Sequence, residues 1–173
     1  AYSALMNGLA AGFRDGHIWS APVVAWAVRK WPGIVPVRRG ARWYVGLDER
    51  KPNEAGLLGA EIVACDGEDF DRWAKTRIGL FGGSPELEAE LSKRAPTLLL
   101  DDANPFLKVP TACTFRTATG ATEQVTLAFR PIQQTGLAGR VGKSMPRAAA
   151  GMGVSKFEGG YWIALGTLGN AAG

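Results

Sequence analysis

Residues 33–47, GIVPVRRGARWYVGL, read as two β-rich arms on either side of an Arg-Gly turn, and with this predicted hairpin the chain changes to strands and turns. A third strand is predicted in residues 57–67, LLGAEIVACDG, which ends in an Asp-Gly turn. Two more, in residues 111–120 and 122–131, are joined by a turn, and apolar residues alternate with polar ones along the second. We therefore expect an antiparallel β-rich domain.

Two helices are predicted between these strands, in residues 68–81 and 84–100. The second carries the signals of a helix start, because Ser84 suits the N-cap, Pro85 suits the first turn, and glutamates lie near the positive end of the helix dipole. We expect this helix to begin directly after Ser84.

The chain begins with another predicted helix, in residues 1–13. Its apolar residues recur at helical spacing, so we expect one face of this helix to be buried. Gly16 is predicted to take the left-handed conformation that commonly ends a helix. The expected fold class is therefore α+β. The predicted buried face consists of Tyr2, Leu5, Met6, Leu9 and Phe13.

The last forty residues divide into a linker and a strand. Residues 131–153 are rich in Gly and Ala, which is typical of a linker. The continuous apolar run 161–165 is typical of a strand that is covered on both faces of its sheet. We expect that sheet to lie in sequence beyond this chain. The alternative is that the strand pairs with the β-rich domain or with a second copy of the chain.

Composition excludes several classes of protein. The 46% of hydrophobic and 21% of charged residues match globular usage, and no apolar run reaches the roughly 18–20 residues of a membrane span. The net charge is +4 and the basic residues are dispersed, so we expect no nucleic-acid partner. One histidine and two cysteines cannot supply a structural zinc site, and we predict no metal and no other cofactor. Cys65 and Cys113 lie in predicted strands, either as buried thiols or as a disulfide between neighbouring strands.

His17 is the only histidine, and it follows the first predicted helix. An imidazole titrates near neutral pH, so His17 is a candidate general base or acid. The alternative is a surface histidine that interacts with the helix dipole. No serine has the context of a nucleophile elbow and no third triad member is evident, so the sequence offers one member of a catalytic set.

Three spaced motifs carry a resemblance to a known family: GLAAGFRDGH (residues 8–17), AGLLGAEIVACDG (55–67) and GGYWIALGTLGN (159–170). Together they resemble the N-terminal part of tail-specific (C-terminal-processing), tricorn-like serine peptidases. The resemblance implies an N-terminal helical element in residues 1–31, a PDZ-like domain in residues 32–130, and in residues 131–173 a linker with the first strand of an α/β, crotonase-type peptidase core.

The resemblance also implies a function. The parent protein would be a serine endopeptidase that cleaves polypeptides, with His17 as its general base in the tricorn-like branch and not in the Ser-Lys branch. The segment that carries the nucleophilic serine in this family is missing from the chain. We therefore expect the chain alone to be inactive and to have the catalytic domain of the same protein as its partner. A secreted or periplasmic location is implied by the resemblance, and an oligomer is compatible with it.

The PDZ-like domain is implied to hold an extended polypeptide substrate or peptide tail by adding it as a strand to its sheet. The alternative from another class is a non-catalytic PDZ-like module for peptide binding or assembly. The candidate peptide-binding residues are Ile34, Val35, Val37, Phe70 and Trp73.

Overall fold

The structure is a computed structural model that describes residues 2–15, 17–20, 29–50, 56–81, 83–133, 136–137, 139–141, 153–157 and 160–164. It is an α+β structure with antiparallel sheets, as the sequence predicts. Its helices are α1 (Tyr2–Gly12), α2 (Phe70–Phe81) and α3 (Glu88–Arg94), followed by the 3₁₀ turn Ala95–Thr97. Its strands are β1 (Arg29–Trp31), β2 (Ile34–Arg39), β3 (Arg42–Asp48), β4 (Glu61–Cys65), β5 (Glu68–Asp69), β6 (Ala112–Arg116), β7 (Thr122–Thr126), β8 (Arg130–Ile132), β9 (Gly153–Phe157) and β10 (Gly160–Ala164).

The main sheet has the strand order β2-β3-β4-β6-β7, with β5 paired to β4, and every pairing in it is antiparallel. The predicted hairpin is confirmed as β2 and β3. The predicted Asp-Gly turn is confirmed between β4 and β5, where Asp66 (φ 48°) and Gly67 (φ 81°) both take left-handed conformations. Two positive φ angles in a two-residue loop match the twist of the flanking strands, which is why Asp-Gly is favoured there.

The buried apolar side chains form two clusters, the first core and the second core. The first core packs Trp43 and Phe115 of the sheet against Phe70 of α2, whose ring meets that of Trp43 edge-on at 5.6 Å between centroids. The second core contains Trp31 and Val35. Both include residues far apart in sequence, and the second also takes in Leu100 and Leu137.

Strands β1 and β8 form a separate antiparallel pair, with Trp31 opposite Arg130. This pair joins residues just before the predicted PDZ-like domain to the last residue of that domain and the two residues that follow it. Leu137 is buried in the second core. Ile132, Leu137 and Val141 therefore pack in the second core, in a segment that the sequence predicted to be a linker from residue 131 onward.

Helix α1 is confirmed, but the prediction of its buried face is wrong. Leu5 and Leu9 are 57% and 59% exposed, and Tyr2 and Phe13 are exposed as well. Small side chains are buried instead, at Ala4 and Ala10, because α1 packs closely on α2. The apolar stripe that the spacing revealed therefore faces away from the described part of the chain.

The end of α1 also differs from expectation. Arg14 takes the left-handed conformation, with a φ of 52°, and its N–H donates to the carbonyl of Ala11 at 3.0 Å. Gly16, which we expected in that role, lies outside the described residues.

Helix α3 starts later than predicted. Ser84 is buried and does not cap a helix, since residues 84–87 form a turn in which Leu87 N–H donates to the Ser84 carbonyl at 3.2 Å. Pro85 packs on α2, where a Cβ at Gly79 would lie 3.3 Å from its Cγ. The regular helix ends at Arg94 because Pro96 lacks the N–H that a further turn would need.

The last predicted strand is confirmed as β10, and its partner is β9. The sequence predicted a partner beyond this chain, in the β-rich domain or in a second copy of the chain, so β9 was missed. None of the helices in the described ranges is long and apolar enough to cross a bilayer.

Candidate active site

The side chains of Asp15 and His17 form a hydrogen-bonded pair just after α1. His17 Nδ1–H donates to Asp15 Oδ1 at 2.9 Å, and the backbone N–H of His17 donates to the same oxygen at 2.9 Å. A carboxylate on Nδ1 selects the tautomer that leaves Nε2 free to accept a proton. The His17 side chain is 98% exposed, so Nε2 is accessible to a group from outside this chain.

The same contacts keep Asp15 ionised. The backbone N–H of His17, and after it the His17 ring, hold the pKa of the Asp15 carboxyl below its usual range. Asp15 is therefore a carboxylate at neutral pH and faces the imidazole as an anion.

A tight turn positions this pair. The Asp15 side chain accepts the N–H two residues ahead, which is the local bond that makes Asp favourable in turns. The turn is closed by Ile18 N–H, which donates to the Asp15 carbonyl at 3.0 Å. The sequence indicated His17 as a candidate base but not Asp15 as its partner, although an aspartate two residues before a histidine is a signal for such a pair.

A cavity of about 240 Å³ lies beside Asp15, between the end of α1 and the α3 region. Its lining includes the apolar side chains of Trp19 and Leu87 and the charged side chain of Glu90. Glu90 is held within its own helix by ion pairs to Lys93 at 3.3 Å and Arg94 at 3.4 Å. The cavity therefore offers room for a side chain next to Asp15.

The predicted peptide-binding residues lie mostly in the interior. Ile34 and Phe70 are buried in the first core, and Val35 is buried in the second. Only Val37 and Trp73 are half-buried, with Trp73 stacked on Phe70 at 5.3 Å. Three of the five side chains are thus occupied by core packing and cannot contact an added peptide in this structure.

Neither cysteine is available as a nucleophile. Cys65 of β4 and Cys113 of β6 are direct neighbours in the sheet and form a disulfide, which decides between the two alternatives that the sequence left open.

In the described part of the chain, Asp15 is the side-chain partner of His17. Over the same residues there is no group of three or more His, Cys, Asp or Glu that could hold a metal ion.

By sequence, the chain matches no protein-family model and no curated protein. By structure, it is similar to a crystal structure of mature CPAF, with a TM-score of 0.57 and 22% identity over 86% of this chain and 28% of that chain. It is also similar to mature CPAF complexed with lactacystin, with a TM-score of 0.54 and 22% identity over 76% of this chain and 24% of that chain. The chain therefore spans about a quarter of the length of CPAF and shares the fold of that part.

Proposed function

We propose that this chain is the N-terminal and PDZ-like part of a serine endopeptidase that cleaves polypeptides, with His17 as the general base. The observation that carries the proposal is the Asp15–His17 pair in a fold shared with part of CPAF, a serine protease similar to the tail-specific proteases. An imidazole with a carboxylate on Nδ1 and a free Nε2 is the base half of a serine-peptidase triad.

The proposed chemistry makes use of the geometry of this pair. Nε2 of His17 takes the proton of a serine hydroxyl as that oxygen attacks the scissile carbonyl, and later returns it to the leaving amine. Asp15 keeps the imidazole in the correct tautomer and stabilises the imidazolium that forms. The serine and its oxyanion donors would come from an α/β core of crotonase type in the parent protein.

The chain alone is expected to be inactive. A base without a nucleophile and an oxyanion hole supplies only a small part of a triad's rate enhancement. Purified 173-residue chain incubated with an unstructured polypeptide should show no cleavage that a serine-directed inhibitor abolishes. Inhibitor-sensitive cleavage would contradict the assignment of the nucleophile to another part of the protein.

The decisive experiment is His17→Ala in the full-length parent. We expect kcat to fall by a factor of the order of 10³–10⁴, because the base is removed. We expect the melting temperature to stay nearly unchanged, because an exposed side chain at a helix end contributes at most about 1 kcal/mol. Glu86→Ala is the matched control, since Glu86 is an exposed side chain of the same region that does not contact His17.

The opposite result would favour a different function. Full activity with a lowered melting temperature would make His17 a structural residue and favour Ser-Lys chemistry. A parent without any peptidase core would favour a non-catalytic assembly module. The exposed apolar face of α1, with Leu5 and Leu9 at its centre, supports that second candidate because an assembly partner would cover it.

A further inference from the structure

We propose that residues 84–100, the covering segment, are a built-in occupant of the groove between β2 and α2. The β-rich domain would then hold a segment of its own chain at the place where an extended peptide is otherwise added. The occupancy of the groove does not rest on the proposed peptidase function, whereas the role of the segment as a wall beside the candidate base does.

The groove is defined by the topology. Strand β2 lies at one end of the main sheet and pairs with β3 on one side only, so its other side is a sheet edge. Helix α2 packs on the same sheet through Phe70, Ala74 and Ile78. An extended peptide joins a sheet by pairing with an edge strand, so β2 and α2 are the walls of the site that peptide binding would need.

Side chains of the covering segment fill the space between these walls. Helix α3 and the 3₁₀ turn pack against β2. Leu91, Leu98 and Leu99 are buried in the same first core as Ile34 and Phe70. A peptide from solution would have to return these leucines to water before it could occupy the groove.

The covering segment also passes across the open edge of β2. Ile34 and Val35 are consecutive in the strand and therefore point to opposite faces, Ile34 into the first core and Val35 into the second. Leu99 and Leu100 divide between the same two cores. The chain therefore crosses from one face to the other at this edge.

Beyond the edge, Asp101 pairs with Lys30 of β1, the strand that precedes β2. Lys30 N–H donates to the Asp101 carbonyl at 2.9 Å, and Asp101 N–H donates to the Lys30 carbonyl at 2.8 Å. These antiparallel bonds fix the end of the covering segment beside the start of β2.

Arg38 holds the other end. Its guanidinium, with only 5% of the side chain exposed, donates through Nη1 to Asp71 Oδ1 of α2 at 2.7 Å and through Nε to Glu88 Oε1 of α3 at 2.7 Å. It also lies over the Trp43 ring, 4.7 Å from the centroid, and the Trp43 indole N–H donates to Asp71 at 2.8 Å. One cation therefore ties β2, α2 and α3 together.

The covering segment has a second surface, which lines the cavity next to Asp15. Leu87, Glu90, Lys93 and Arg94 line the cavity next to Asp15. The segment that fills the groove thus also forms a wall beside the candidate base. We infer that the β-rich domain acts as a rigid support for this wall and takes no peptide from solution between β2 and α2.

Hydrogen exchange and NMR titration of the 173-residue chain test the occupancy. We expect the amides of residues 91–100 and of β2 to be protected together, and a synthetic peptide with the sequence of residues 84–100 to leave the β2 resonances unchanged at millimolar concentration. Free exchange of residues 91–100 while β2 and α2 stay protected would overturn the proposal. So would saturable binding of the peptide at β2 with the covering segment still in place.

Limited proteolysis tests the role of Arg38, since Lys93 and Arg94 supply trypsin sites within the covering segment. Arg38→Ala should raise the rate of cleavage there about tenfold, because it removes two charged hydrogen bonds that oppose local opening. Arg42→Ala is the matched control, an exposed arginine of the adjacent strand that pairs with Glu61.

If Arg38→Ala does not fold, Glu88→Gln serves instead, because it weakens only the contact to α3 and leaves Asp71 paired. A smaller rise in cleavage is then expected. Cleavage at the wild-type rate in whichever of the two variants folds would overturn the role of Arg38.

Discussion

At the scale of single residues, Asp66 shows how one carboxylate joins two distant parts of the chain. Its oxygens accept hydrogen bonds from the Thr111 N–H at 3.0 Å, the Thr111 hydroxyl at 2.8 Å and the Ala112 N–H at 2.9 Å. Burial raises the pKa of Asp66, but the bonds from Ala112 and Thr111 outweigh it, so the pKa lies below its ordinary value. The Asp-Gly turn is thereby fixed to the start of β6.

The variant Asp66→Asn should lose about 1 kcal/mol of unfolding free energy at neutral pH, because it removes charge-assisted hydrogen bonds at an exposed turn. The pKa of Asp66 is lower in the folded than in the unfolded state, so the contribution is complete above the unfolded value of about 3.9 and is lost as pH falls through the folded value. Urea unfolding of the wild type and of Asp66→Asn at neutral and at strongly acidic pH measures this contribution to the unfolding free energy.

The control for this pH experiment is Glu123→Gln on β7, an exposed glutamate that should show little change at either pH. If Asp66→Asn lowers the unfolding free energy equally at both pH values, the shape of the side chain, and not its charge, stabilises the turn.

At the scale of elements, α1 and α3 both carry leucines, but they differ in whether those leucines are buried. Leu91 of α3 is buried in the first core, whereas Leu5 and Leu9 of α1 are more than half exposed. Helical spacing shows that a face is apolar, and it does not show whether the described part of the chain covers it.

We therefore expect Leu91→Ala to destabilise the chain by about 2–5 kcal/mol, the usual cost of a cavity in a core. Leu5→Ala and Leu9→Ala should each change the unfolding free energy by less than about 0.5 kcal/mol, because the side chains are already in water and alanine is a good helix former. Chemical denaturation of the 173-residue chain compares the three. A large loss in Leu5→Ala or Leu9→Ala would show that this face of α1 is covered within the chain.

At the scale of the whole molecule, the Cys65–Cys113 disulfide closes a loop with a sequence separation of 48 that contains α2 and α3. A cross-link over a loop of this length restricts the unfolded chain and is expected to stabilise the fold by about 2–4 kcal/mol. Adding a thiol reductant should therefore lower the urea midpoint of the wild type.

The double variant Cys65→Ser, Cys113→Ser provides the control, since its midpoint should be low and insensitive to the reductant. If the wild type does not respond to the reductant either, the cross-link does not contribute to the stability of the protein.

Several features of the site were within reach of the sequence because they depend on neighbours a few residues apart. His17 was found from a short motif, and its partner Asp15 is only two residues away. The hairpin of β2 and β3 and the turn at Asp66-Gly67 were predicted for the same reason, since local conformational preference decides them.

Other features were decided only by the tertiary structure, because they depend on which distant surfaces meet. The covering segment has the pattern of an ordinary helix, and nothing local indicates that Arg38, fifty residues before Glu88, holds it over β2. The resemblance implied that Ile34 and Phe70 bind a peptide. In the structure they are buried in the first core together with Leu91 and Leu99, which are distant in sequence. Sequence periodicity determines which faces are apolar, and only the burial of one face against another determines what each face does.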